Sequence, residues 1–115
     1  MKSIRKDQGF GVQYDGEIIS NTSGACANVV LITKSKIYCA NLGDCRSAIW
    51  KGGKTVELSV DQTLNSETEI KRIKAAKGII VAGKINGSLP YARSFGDFAF
   101  KKNSNFNASQ QIVIS

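Results

Sequence analysis

Two aspartates of this 115-residue chain directly follow glycines, Gly43-Asp44 and Gly96-Asp97. Gly43-Asp44-Cys45-Arg46 separates the apolar stretch Ile37-Tyr38-Cys39-Ala40-Asn41-Leu42 from Ser47-Ala48-Ile49-Trp50. A carboxylate presented at a strand end suits a hard metal ion, because the rigid sheet fixes the oxygen. The same residues also make an ordinary turn, the commoner outcome for an isolated glycine-aspartate. The second pair, within Asn86-Gly87-Ser88-Leu89-Pro90-Tyr91-Ala92-Arg93-Ser94-Phe95-Gly96-Asp97, strengthens the chemical reading. One carboxylate is not a metal site of useful affinity, since Mg²⁺ demands a near-octahedral oxygen shell.

Histidine is missing from these residues, which rules out within them a Ser-His-Asp or Cys-His pair and an HExxH zinc site. Oxygen-ligated metal chemistry is the hydrolytic route most compatible with the remaining side chains. Among the other acids, Glu57, Glu67 and Glu69 read as surface positions on strand or helix. Asp61 and Asp97 read as structural carboxylates that cap turns or pair with arginine, with Arg93 the expected partner of Asp97 and Arg46 the other candidate. Gly24, Gly43, Gly87 and Gly96 are expected at turns or close approaches. Cys39 and Cys45 read as small buried hydrophobes.

The elements that must position these groups are mostly strands. Ala27 to Thr33 is a continuous apolar run rich in β-branched residues, the pattern of a buried strand. Lys34-Ser35-Lys36 is a polar turn, and Ile37 to Leu42 returns as its hairpin partner. Cys45 to Trp50 is a third strand, Lys51-Gly52-Gly53-Lys54 a hairpin turn and Thr55 to Leu58 a fourth strand. A four-stranded antiparallel meander is therefore expected. Next comes a helix capped by Asn65 or Ser66, with Glu67 and Glu69 in its first turn and an apolar stripe of Ile70, Ile73 and Ala76. Gly78 stands where a helix ends. Ile79 to Ala82 and Gln111 to Ile114 are expected strands, and 103–110 a loop. The glycines at 9, 11 and 16 discourage a long helix in the polar segment 1–22.

Composition bounds the class. The chain is 42% hydrophobic and 22% charged, a globular balance sufficient for one domain or a piece of one. No apolar run approaches the roughly 20 residues of a membrane span, and the basic start Met1 to Asp7 leads into no secretory h-region. Three cysteines, an odd number without metal-type spacing, suit a reducing intracellular compartment, cytoplasmic or nuclear. The net charge of +7 is scattered over turns and one helix face. Trp50, Tyr91 and Phe98 are the aromatics near it, and no RNA- or DNA-binding motif accompanies them, so a solvated basic surface is favoured over nucleic-acid binding.

In order, the chain carries Ser23-Gly24-Ala25-Cys26-Ala27, then Ile37 to Ala48 with Gly43-Asp44-Cys45-Arg46 at its centre, then Leu58-Ser59-Val60-Asp61-Gln62. Glu69-Ile70-Lys71-Arg72-Ile73, Gly78, Ile85-Asn86-Gly87-Ser88-Leu89 and Arg93-Ser94-Phe95-Gly96-Asp97 follow. This series resembles the central portion of the PP2C (PPM-type) metal-dependent serine/threonine protein phosphatases. The resemblance implies an α+β fold, a PP2C-like antiparallel β-sandwich flanked by helices, here incomplete. It divides the chain into an N-terminal polar segment, 1–22, and a partial phosphatase domain, 23–115. It further implies hydrolysis of phosphoserine and phosphothreonine in phosphoprotein substrates, with Mg²⁺ or Mn²⁺ ions activating a water.

Departures are small within the motifs. Ala25-Cys26 replaces a usual Ser/Thr pair, Cys45 a serine, Gln62 a histidine, Lys77 the first of two glycines, and Ala92 a Ser or Thr. The family's principal ligands belong to an acidic strand and an Asp-Gly-His-Gly-Gly turn upstream and to aspartates downstream, and these residues carry neither region. Asp15-Gly16 lacks the following His-Gly and stands too close to Ser23 to be that turn. The resemblance leaves Asp44 as an auxiliary metal ligand, Gly43, Arg46, Arg93, Gly96 and Asp97 as structural motif residues, and no catalytic residue. The expectation is a fragment inactive alone, with exposed core surface that a protein partner could cover. The alternative is a non-catalytic binding or regulatory module of the same fold.

Overall fold

The computed structural model of the chain describes residues 23–115, together with the backbone of three short strands before them, β1 (Arg5–Lys6), β2 (Gly11–Tyr14) and β3 (Glu17–Ser20). These three pair in order as an antiparallel sheet. Asp15 lies outside the described residues.

Beyond them, β4 (Gly24–Ala25) leads into β5 (Ala27–Ile32), which pairs in full antiparallel register with β6 (Ile37–Leu42). The polar turn closes because the Thr33 hydroxyl accepts the Lys36 amide proton at 3.0 Å. β7 (Ala48–Lys51) and β8 (Lys54–Glu57) form the second hairpin. Its tip is Gly52-Gly53, both at positive φ, as the tight turns matched to strand twist require.

The four strands follow one another as expected, but not as one sheet. They form two separate two-stranded ladders, with no pairing between β6 and β7. The cause lies in the segment between Leu42 and Ala48, whose polar groups bond side chains and the backbone of Leu58 and Gln62 instead of a neighbouring strand. Ser47 N–H donates to Ser59 Oγ at 2.9 Å, and the Ser47 hydroxyl donates to Asn28 Oδ1. Asn28 Nδ2 in turn donates to Asn41 Oδ1 at 2.9 Å and Ser59 Oγ at 3.3 Å. An amide side chain thus ties the hairpins together. The third strand starts later than the sequence suggests for the same reason.

Helix α1 (Glu67–Ala75) is capped by Ser66, whose side chain accepts from Glu69 N–H. At its other end Gly78 N–H donates to Ile73 O at 2.8 Å and Lys77 N–H to Lys74 O at 2.9 Å, the paired bonds that close a helix through a left-handed residue. That residue is Lys77, at φ +65°, where glycine is the usual occupant. Lys77→Gly is expected to stabilise the fold by about 0.5–1 kcal/mol, read from the urea unfolding midpoint.

The chain then makes a small hairpin, β9 (Ile80–Val81) and β10 (Lys84–Ile85), turned by Ala82 and Gly83 at positive φ, so the expected strand stops before Ala82. β11 (Phe95–Gly96) returns to pair with β4. The strand expected over Gln111 to Ile114 does not form. Only an isolated parallel bridge between Arg93 and Ile114 appears there, because Gln111 is committed elsewhere: its amide donates to the carbonyls of Asn103 and Phe106, both at 2.8 Å. The 103–110 loop contains a short 3₁₀ turn, Ala108–Gln110, boxed by Asn107.

The core gathers Ile73, Ile85, Leu89, Ala92 and Val113, with Leu64, Ile80, Tyr91, Phe100 and Ile112 packed around it. It therefore sits between α1 and the segments that follow, not on the β5–β6 and β7–β8 hairpins. Val29, Leu31 and Ile32 of β5 remain 61%, 59% and 72% exposed.

Candidate functional site

Asp44 sits just past the end of β6, and the sequence around it explains how the turn is held. Gly43 is buried and has φ +90°. A Cβ there would lie 2.2 Å from Cys26 Sγ and 2.6 Å from the Arg93 carbonyl, so the position has room for hydrogen only. Gln62 closes on the turn from the far side. Its side-chain oxygen accepts Gly43 N–H at 2.6 Å, and its own N–H donates to Gly43 O at 3.0 Å. Asn41 Nδ2 adds bonds to Gly43 O at 3.2 Å and Val60 O at 3.0 Å. The result is a rigid turn carrying an exposed carboxylate. Among the described residues, the Asp44 carboxylate has no hydrogen-bond or ion-pair partner.

The other motif acids are committed. Arg46 grips Asp61 through Nε at 3.1 Å and a terminal nitrogen at 2.7 Å, and reaches Glu57 at 3.3 Å. The bidentate bond holds the Asp61 carboxyl below its usual range and raises the guanidinium. Both side chains meet water, so this cluster orients the surface and adds little stability. Asp97 is buried and accepts the Ser94 hydroxyl at 2.6 Å and the Tyr91 hydroxyl at 3.2 Å. Its backbone N–H donates to Ser23 O at 3.0 Å, across the β4–β11 pair. Burial, then the negative Asp97, raise the Tyr91 phenol. Tyr91 is consequently half-buried and anchored, not the exposed aromatic its sequence setting suggests. Burial likewise pushes the Cys26 thiol up. Cys26, Cys39 and Cys45 are all free and half-buried.

Two expectations are corrected here. Arg93 does not pair with Asp97, and Glu69 is not on the surface. Glu69 is 4% exposed, and each of its oxygens meets one guanidinium. Oε1 takes Arg93 Nε at 2.9 Å and a terminal nitrogen at 2.5 Å; Oε2 takes Arg72 Nε at 3.1 Å and a terminal nitrogen at 2.7 Å. Arg72 spends its other donors on backbone oxygens: Gln111 at 2.7 Å, Ile112 at 2.9 Å and Ala92 at 2.8 Å. All five of its N–H groups are thereby used. Burial alone would raise the Glu69 carboxyl, but the bonds and charges of Arg93 and Arg72 outweigh it and hold it below its ordinary value.

The signal that could have found Glu69 is its register. Glu69, Ile73 and Ala76 stand four and three residues apart, the spacing of one helix face, and Ile73 and Ala76 are buried. An acid on that face needs a cation, and Arg72 and Arg93 supply two.

Tested against a two-ion phosphatase centre, the described donors do not fit. Among the described residues no three of His, Cys, Asp or Glu gather to hold an ion. Asp61, Asp97 and Glu69 are engaged as above, which leaves Asp44. Among the same residues no helix is long and apolar enough to cross a membrane.

Comparison with known proteins identifies the family. The family model "Protein phosphatase 2C" matches residues 7–115. Protein phosphatase ppm-1.G of Caenorhabditis elegans is 42% identical over 97 residues, covering 84% of this chain and 20% of that protein. Protein phosphatase 2C homolog 3 of Schizosaccharomyces pombe is 42% identical over 99 residues, 86% of this chain and 24% of its own length. The probable protein phosphatase 2C 6 of Paramecium tetraurelia is 38% identical over 94 residues, 82% and 32% respectively. The chain thus spans between a fifth and a third of the length of these relatives. In three dimensions it resembles a Toxoplasma gondii phosphatase, with TM-score 0.60 and 24% identity, over 81% of this chain and 40% of that one. That likeness bears on the fold, which is α+β, with antiparallel strand pairs and, among the described residues, helix α1. Given a family match from residue 7 to residue 115 and relatives 38–42% identical over more than four fifths of the chain, the chain belongs to the protein phosphatase 2C family.

Proposed function

We propose that this chain is the central scaffold of a metal-dependent protein phosphatase acting on phosphoserine and phosphothreonine, and that it has no turnover by itself. The observation that carries the reading is Asp44: an exposed carboxylate on a rigid turn, while the neighbouring acids are consumed by structural partners. Two Mg²⁺ or Mn²⁺ ions activating a water need more carboxylates than the described residues supply. Asp44 is accordingly an auxiliary ligand that completes a centre built elsewhere in the polypeptide. Arg46, Arg93, Gly43, Gly96 and Asp97 hold the frame around it. The exposed faces of β5 and β6 support the same reading. Val29 and Leu31 lie on one face and Val30 and Ile32 on the other, all at least 40% exposed, as suits a hairpin meant to pack within a sandwich. The three free thiols suit a reducing compartment, cytoplasmic or nuclear.

The test has two arms. Purified 115-residue chain, given a phosphothreonine peptide and Mn²⁺, is expected to release no phosphate. Residues 23–115 placed in the matching segment of ppm-1.G are expected to give an active phosphatase, in which Asp44→Ala raises the Mn²⁺ requirement roughly tenfold. Turnover by the chain alone, lost on Asp44→Ala, would refute its inactivity. A folded but inactive chimera would refute the scaffold role.

A further inference from the structure

We infer that the tips of the β5–β6 and β7–β8 hairpins form a docking surface for an acidic peptide segment of a partner protein. The inference goes beyond the phosphatase reading and depends neither on Asp44 nor on a metal. Lys34 and Lys36 stand at the first tip, and Lys51 and Lys54 flank the second. All four are exposed, and none forms an ion pair among the described residues. Between positions 27 and 56 the single acid is Asp44. It follows the end of β6, away from both tips.

The two hairpins grow from one root. Asn28, near the start of β5, bonds Asn41 near the end of β6, Ser59 beyond β8 and Ser47 just before β7. β5 and β7 both run outward from this knot, each for roughly 13–17 Å at the rise of a strand. Both basic tips therefore lie on the side away from Asp44. Their backbones are fixed before a partner arrives, which lowers the cost of binding. At the first, Thr33 N–H donates to Lys36 O at 2.8 Å and the Thr33 hydroxyl accepts Lys36 N–H at 3.0 Å. At the second, Lys51 is paired directly opposite Lys54.

That pairing is unfavourable in the chain by itself, because like charges directly opposite on a ladder repel. A local rule broken without a structural gain points to function. Trp50 is a second such case. It is 71% exposed, next to Lys51 and opposite an exposed Thr55, although an indole is a large apolar group favoured at contact surfaces. Lysines supply point charges for carboxylates, and the indole can cover an apolar side chain between them. Single-stranded nucleic acid is the competing anion, but it is gripped by successive aromatics on which bases stack. Each hairpin here carries one aromatic, Tyr38 or Trp50.

Trp50 is the single tryptophan of the chain, so its emission reports on this surface. The probe is a short glutamate-rich peptide carrying one phenylalanine, titrated into the 115-residue chain. A saturable blue shift of the Trp50 emission is expected, weakening as salt is added. Lys51→Glu/Lys54→Glu and Lys34→Glu/Lys36→Glu should each weaken binding roughly tenfold, with the unfolding midpoint unchanged. Should one tip variant fail to fold, the other carries the comparison. Lys71→Glu/Lys84→Glu changes the net charge equally at exposed positions of α1 and β10, and should leave binding as it was.

No saturable shift would overturn the docking surface. An equal loss in Lys71→Glu/Lys84→Glu would overturn it too, because net charge alone would then drive binding. A single-stranded oligonucleotide that binds more tightly than the peptide at the same salt concentration would refute the peptide and reassign the tips to nucleic acid.

Discussion

Glu69→Ala is expected to destabilise the chain by about 3 kcal/mol, the lower end of the cost of removing one partner from a buried ion pair. The lower end applies because Arg93 keeps 31% of its side chain in water, whereas Glu69 keeps 5% and Arg72 15%. The substitution leaves two guanidiniums facing a space with no counter-charge, and Arg72 cannot turn away without dropping three backbone carbonyls. Glu69→Gln should fall between, since it keeps the shape but loses the charge. The contrast lies on the same helix. Glu67 meets Lys71 at 3.8 Å with both side chains above 80% exposed, so Glu67→Ala should leave the urea midpoint unchanged within error.

The same cluster sets an acid response. The folded state holds the Glu69 carboxyl below its ordinary value of 4.5. Its contribution is therefore complete above that pH and is lost as pH falls from 4.5 through the depressed folded value. Unfolding midpoints of wild type and Glu69→Gln should differ at pH 7 and converge below pH 4.5. A gap that persists undiminished into acid would show that the carboxylate's charge is not what stabilises the cluster.

Gly43→Ala is the second large effect expected, about 3 kcal/mol or more. Two penalties combine there. A left-handed backbone costs an L-residue about 1–2 kcal/mol, and forcing a methyl into packed surroundings costs about 1–3 kcal/mol. The methyl would meet Cys26 Sγ and the Arg93 carbonyl, and a carbonyl cannot rotate aside. Gly52→Ala separates the two. Gly52 also has positive φ, +59°, but nothing lies within 4 Å of its would-be Cβ, so only the backbone penalty remains. Equal losses at the two positions, measured by thermal unfolding, would show that the close approach at Gly43 contributes nothing.

The parts of this chain written in local pattern were legible from sequence. The apolar runs and turn residues of the two hairpins, the helix cap at Asn65 or Ser66 and the glycine-bearing turn at Asp44 each depend on residues within a few positions of one another. What escaped depends on distance. The sequence pairs Asp97 with Arg93, or else with Arg46, yet hydroxyls of Tyr91 and Ser94 satisfy it, Arg93 goes to a helix 24 residues upstream and Arg46 to Asp61. Glu69 reads in the sequence as a surface helix position, although its register with Ile73 and Ala76 puts it inside. Ile112-Val113-Ile114 has the composition of a strand, but its backbone is claimed by Arg72, by Phe100 and by one bridge to Arg93. The break between β6 and β7 turns on Asn28 and Ser47, ordinary polar residues whose partners only folding brings near. At the candidate site the aspartate is visible in the sequence, whereas Gln62, which accepts Gly43 N–H, reads there only as a departure from a motif.

The reach of Arg72 carries a consequence for biosynthesis. The carbonyls it needs lie 39 and 40 residues further along. On a translating ribosome α1 emerges first, with Arg72 paired to Glu69 but lacking those carbonyls and with its inner face wet, and must wait for that later stretch. At about 5–20 residues per second the delay lasts roughly seconds, whereas a helix forms in about a microsecond or less. Elongation speed, not helix formation, therefore times the closing of this core, and the interval is when a nascent-chain chaperone has the most to hold.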